Sequence, residues 1–192
     1  MEEKQNYIKA LFPRIKDIKD EDLKNKVVNV WLKAWEMSLC EKIETYSAWP
    51  PEKAKIQLSN VEHTNQVVEC AVAVANIVEQ TQHININLDY LIAAAILHDV
   101  DKILQFHEET GRLTSLGQLF AHTSLGISLA LEQALPLEIV HAIGTHSPNY
   151  RKNSPKTHEA LILSHVDKMM MLNWLMFKKV DISFKIDSDS DK

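Results

Sequence analysis

The sequence predicts an all-α protein. Three observations carry that expectation. Apolar residues recur at three- and four-residue steps over long stretches, which is the period of one helix face. The alternating β-branched pattern of a half-buried strand is nearly absent. Glycine is scarce, with four residues in 192, so few positions favour sharp turns.

The elements follow in order. Asp20 opens a helix in which Leu23, Val27, Val30, Trp31, Ala34 and Trp35 share a face. It is expected to end before Trp49-Pro50-Pro51, the clearest linker in the chain. Ser59-x-x-Glu62 has the form of a capping box and starts a helix through Val67, Val68, Ala71, Val72, Ala75 and Val78. Asn87 or Asp89 caps the next helix, which carries Leu91 to Leu104. Glu108 to Gln118 holds Gly111 and Gly117 and is expected to loop. A helix then runs from about Leu119 to Ala134, and a shorter one from Pro136, placed at its first helical position, to about Gly144. HSPNYRKNSPK is a loop with two prolines, and Thr157 caps the last strong helix, to about Phe177. The tail is polar and ends acidic; DISFKID within it suits a short strand, and the last residues read as disordered.

Bulk properties exclude several classes of function. A hydrophobic content of 45% is enough for one sizeable core. The formal net charge of −5 argues against a nucleic-acid footprint. No apolar run is long enough to cross a bilayer, and MEEKQNYIKA lacks the apolar region of a signal peptide. Cys40 and Cys70 form no CxxC pair, which fits a reduced, cytoplasmic protein.

The informative residues are polar groups on apolar faces. His63 lies one turn before Val67, and His98 follows Leu91, Ala94 and Ala95. His122 is expected to share a face with Leu125, Gly126 and Leu129. His146 comes just past Ile139, Ala142 and Ile143, and Asp167 follows Ala160, Leu163 and Ser164. A lone histidine on such a face is ordinarily a hydrogen-bonded core residue. Taken as a set, these residues are hard to assign to packing. An isolated buried carboxylate costs several kcal/mol and tends to protonate, a cost that a divalent cation held by imidazole and carboxylate removes.

The order His63, then His98-Asp99 in ILHDVDK, then Asp167 in LSHVDKMM resembles the signature of the HD superfamily of metal-dependent phosphohydrolases. His122 in AHTSLGISLA and His146 in VHAIGTHSP are similar to two further histidines of the branch with two metals. The resemblance spans about Ser59 to Phe177. It implies an HD-domain-like helical bundle over residues 51–178, with an N-terminal helical extension over 1–50 packed on it and a polar tail over 179–192. It implies that His63, His98, Asp99 and Asp167 hold one ion, and that Asp99 bridges to a second held with His122 and His146. Asp99 and Lys102 are then the catalytic candidates, and Lys102 would meet substrate phosphate. One or two divalent ions are expected, from Fe, Mn, Ni, Co, Zn or Mg, since a mixed His/Asp set suits several of them.

The chain departs from that pattern at two places. Many relatives carry glycine where this chain has Asp101, which is expected to point to solvent. Thr145-His146-Ser147 stands where relatives often carry paired histidines. Arg112, Arg151 and Lys152 lie in loops expected to flank the site mouth, where they suit either phosphate or solvent. His141 and His165 read as core residues or supports of the ligands, while His83, His107 and His158 read as exposed. Met169, Met170 and Met171 with Trp174 suit core or interface packing, and the Trp31/Trp35 stripe suits the main bundle or a homodimer interface.

The expected function is hydrolysis of a phosphomonoester or phosphodiester by metal-activated water, on a nucleotide or similar small molecule. Two other readings of the same residues stay open. One is a diiron oxygenase on the same ligand set; the other is a non-catalytic module that binds nucleotide or metal.

Overall fold

A computed structural model describes residues 2–48, 58–108, 110–148 and 153–177. Among them the order is α1 (Glu2–Leu11), α2 (Glu21–Met37), α3 (Asn60–Gln82), α4 (Leu88–Leu97), α5 (Lys102–Gln105), α6 (Ser115–Leu119), α7 (Ser124–Glu132), α8 (Leu137–Thr145) and α9 (His158–Phe177). Two 3₁₀ turns, Pro13–Asp17 and Ile43–Thr45, interrupt the N-terminal part. Strand structure among the described residues is limited to isolated bridges, Ser47 to Ser59 and Phe106 to Leu113. None of the described helices is long and apolar enough to cross a membrane.

The predicted caps form. Asp20 Oδ1 accepts from the N–H groups of Asp22 and Leu23. Ser59 Oγ accepts from Val61 N–H while Glu62 Oε2 accepts from Ser59 N–H, closing the capping box. Asn87 caps α4 through Tyr90 N–H, and Thr157 Oγ1 accepts from Ala160 N–H. Asp89 has a different task. Its Oδ2 accepts from Lys19 and Asp20 N–H at 2.9 and 3.0 Å, tying the chain before α2 to the start of α4.

α4 is the axis of the fold. Every residue from Leu91 to Leu97 is buried, with α2, α3, α8 and α9 packed around it. Burial of each large aliphatic side chain there contributes about 1.5–3 kcal/mol. Trp31 is fully buried, stacks on Phe12 at 4.7 Å and donates Nε1–H to the Ile96 carbonyl at 3.2 Å. α2 thus holds the end of α4, just ahead of His98. Trp35 is half-buried and donates to the Cys40 carbonyl at 2.9 Å.

Several sequence expectations are corrected. The expected helix from Leu91 to Leu104 stops at Leu97, and α5 begins only at Lys102. The helix expected from Leu119 to Ala134 starts at Ser124, and the expected loop before it contains α6. α2 does end before Trp49, as expected, at Met37. Pro136 is the N-cap of α8 and not its first helical residue. α6 seats closely on the end of α5: a Cβ on Gly117 would lie 2.2 Å from the Gln105 carbonyl oxygen, so only glycine fits there. The linker Trp49-Pro50-Pro51 and the tail with DISFKID lie outside the described residues.

Candidate metal centre

Four helix ends and turns and the middle of α9 meet at Asp99. His63 comes from the first turns of α3, His98 is the C-cap of α4, and Asp99 follows in the turn toward α5. His146 is the C-cap of α8, and Asp167 lies midway along α9. His122 lies in the turn ahead of α7, not on a helix face with Leu125 as expected. All but His122 and Asp167 are buried, and those two are partly so.

The two oxygens of Asp99 face different partners. Oδ2 lies 3.1 Å from His98 Nε2 and 3.6 Å from His63 Nε2. Asp167 Oδ1 completes that side, 3.0 Å from His63 Nε2 and 3.6 Å from His98 Nε2. Oδ1 of Asp99 lies 3.2 Å from His122 Nε2 and 3.6 Å from His146 Nε2. Two candidate ligand groups result, His63/His98/Asp99/Asp167 and Asp99/His122/His146, each with its ligand atoms within 4.8 Å of one another. Lys102, at the start of α5, forms an ion pair with Asp99 Oδ2.

Backbone geometry aims the imidazoles. His98 Nδ1 is 2.7 Å from the Ala95 carbonyl, and His146 Nδ1 is 2.7 Å from the Ile143 carbonyl. A carbonyl only accepts, so Nδ1 carries the proton in both and Nε2 faces Asp99. His98 Nε2 is buried and makes no hydrogen bond. A buried polar nitrogen without a partner costs free energy, and a divalent ion taking its lone pair removes that cost. Imidazole and carboxylate donors converging on such an atom fit a divalent ion.

Without an ion, protons balance the carboxylates. Burial opposes a charge on His98, but Asp99 and Asp167 outweigh it and push its pKa up to about 10. Burial likewise opposes a charge on His122, and Asp101 and Asp99 raise it to about 9. His63 is lowered, chiefly by burial. Asp99 and Asp167 are held well below the usual carboxylate range; burial works against this, and neighbouring histidines, with Lys102 at Asp99, overcome it.

Asp101 does not point to solvent. It is fully buried; Oδ2 accepts from Thr123 N–H at 2.8 Å and Oδ1 lies 3.3 Å from His122 Nδ1. A charged side chain in this place must be paired, and the tertiary fold supplies the partners. Asn60 is a further participant that periodicity did not mark. It is buried beside the capping box, and its Nδ2 donates to the Asp99 carbonyl at 3.2 Å. Its position next to the N-cap Ser59 is the available signal, and many helix starts share it.

Other candidates lie elsewhere. Arg112 is exposed, and Arg151 and Lys152 lie outside the described residues. His165 is exposed, not in the core; its Nδ1 bonds the Leu161 carbonyl of its own helix. His141 is half-buried and its Nε2 accepts from Lys156 N–H at 2.9 Å, which ties the loop before α9 to α8. His83, His107 and His158 are exposed. Met169 is exposed while Met170 packs on the core, and Trp174 packs on Ala48 and Leu58. A cavity of about 250 Å³ lies between the end of α2, Tyr46 and the chain from Ile103 to Leu116, and the candidate ligands do not line it.

An all-α bundle that gathers a histidine, a His-Asp pair and a distant aspartate at one buried point belongs to the class of metal-dependent phosphohydrolases. The HD domain family model matches residues 60–172, and the chain belongs to that family. It is 25% identical over 169 residues to dihydroneopterin 2',3'-cyclic phosphate phosphodiesterase of Methanocaldococcus jannaschii, a match that covers 84% of this chain and 68% of that protein. No solved structure matches the chain.

Proposed function

We propose that the chain hydrolyses a phosphodiester of a small, nucleotide-like molecule with two divalent ions bound at Asp99. One observation carries this reading: the two oxygens of a single buried carboxylate face two separate ligand groups. The relative's activity on a 2',3'-cyclic phosphate supports a cyclic phosphodiester as the substrate class. His63, His98, Asp99 and Asp167 would hold one ion, and Asp99, His122 and His146 the other. Such ions lower the pKa of bound water to about 7 and neutralise charge on phosphoryl oxygens.

The chain's own residues do the rest. The Ala95 and Ile143 carbonyls keep His98 and His146 in the tautomer that presents Nε2. Lys102 sets an ammonium beside Asp99, where it can bind the non-bridging oxygens of a phosphate and offset charge that develops on them. Two imidazoles in each ligand group, four in all, favour Mn, Fe, Co, Ni or Zn over Mg, which prefers oxygen ligands.

The test is metal content per chain, by elemental analysis of protein purified without chelator, followed by turnover of a 2',3'-cyclic nucleotide and p-nitrophenyl phosphate. About two ions and turnover of the cyclic ester without O₂ are expected. No metal retained or restored, or turnover that consumes O₂, overturns the reading.

A further inference from the structure

We propose that Asp101 is a positioning residue for the second ion site, holding His122 with Nε2 toward Asp99. The proposal rests on the two-ion reading above and concerns how this chain builds the second site.

His98 and His146 each point Nδ1 at the carbonyl three residues earlier, supplied by the helix that they cap. His122 precedes its helix, since α7 begins at Ser124, so no earlier turn of that helix lies behind the ring. At the corresponding ring nitrogen stands a carboxylate oxygen, Asp101 Oδ1, at 3.3 Å. The other oxygen of the same carboxylate accepts Thr123 N–H at 2.8 Å. Thr123 has φ 80°, a left-handed conformation that a β-branched residue rarely adopts. Asp101 therefore bonds the turn that sets His122 and faces the ring that the turn carries. It is also two residues from Asp99, so one short segment presents both the carboxylate that faces the two ligand groups and the carboxylate behind His122.

The substitution Asp101→Asn would separate orientation from packing. The amide oxygen must take the Thr123 N–H, which leaves the NH₂ group facing His122 Nδ1. Nδ1 would then accept, and the proton would move to Nε2, where an ion needs a lone pair. Asp101→Ala removes both contacts and leaves the tautomer free.

The experiment is a calorimetric titration of metal-free protein with Mn²⁺ alone, for the parent, Asp101→Asn and Asp101→Ala, with the melting temperature of each metal-free form. Asp101→Asn is expected to keep the first ion's affinity and a melting temperature near the parent's. Its second ion should bind about 10- to 100-fold more weakly. Asp101→Ala should melt lower than Asp101→Asn yet bind the second ion better. A merely structural role gives the same melting order but the opposite affinity order, with Ala binding the second ion more weakly than Asn, and would overturn the proposal. So would a second-ion affinity unchanged in Asp101→Asn while the parent binds two ions. A parent that binds a single ion removes the two-ion reading, and this proposal with it.

Discussion

His98 Nε2 stands 3.1 Å from Oδ2 of Asp99, its neighbour in the chain, and makes no hydrogen bond. Adjacent residues of a continuous helix point about 100° apart and do not converge in this way. They converge because α4 ends at Leu97 and the chain turns before α5. The break in the helix is what lets two consecutive side chains serve one centre.

Asp99→Ala should abolish ion retention and lower turnover by at least about 10³-fold. Loss of one partner in a buried charged cluster also costs on the order of 3–5 kcal/mol in the unliganded fold. Elemental analysis and an activity assay on the same preparation decide it, and a variant with full metal content would remove Asp99 from the centre.

His122→Ala should lose one ion and keep the other. His122 faces only Oδ1 of Asp99, whereas His63, His98 and Asp167 gather at Oδ2. Stoichiometry unchanged from the parent would count against the second group.

Lys102→Met should retain both ions and lose on the order of 10²–10³-fold in turnover, the scale for one electrostatic contact to a developing oxyanion. Its aliphatic stem keeps the packing of the half-buried lysine. Loss of metal along with activity would show that Lys102 holds Asp99 in place and does not meet substrate.

Metal-free protein should become less stable as pH rises from about 6.5 toward 10. His98 and His122 are raised from 6.5 to about 10 and about 9, so each binds its proton more tightly when folded. Their contribution is complete below the unfolded value and disappears as pH climbs through the folded values. His63 is lowered, chiefly by burial, so its contribution runs the other way and is complete once pH has passed its unfolded value. Melting temperatures of chelated protein at pH 6.5, 8 and 9.5 should fall in that order, and added divalent ion should oppose the fall by replacing the protons. A flat profile in the chelated protein would refute the balance of charges described here.

Much of the fold was legible because its signals are local. Asp20, Ser59 with Glu62, Asn87 and Thr157 each cap the helix that follows, using side chains within three residues of the backbone groups they satisfy. The breaks after Leu97 and before Ser124 were not legible, because the apolar pattern runs on through both. Distant contacts mark them: Asn60 bonds the Asp99 carbonyl, and Asp101 bonds Thr123 N–H.

The sequence by itself determined the helical class, most helix starts and the candidate set of metal ligands, since period, caps and residue chemistry are properties of short segments. Only the tertiary structure decided which oxygen of Asp99 faces which histidines, and that Asp101 turns inward to His122. Those relations join residues of α3 and α9 with residues at the ends of α4 and α8 and in the turn before α7, far apart in the chain. A buried carboxylate finds its partners through packing of whole helices, and no local pattern encodes that geometry.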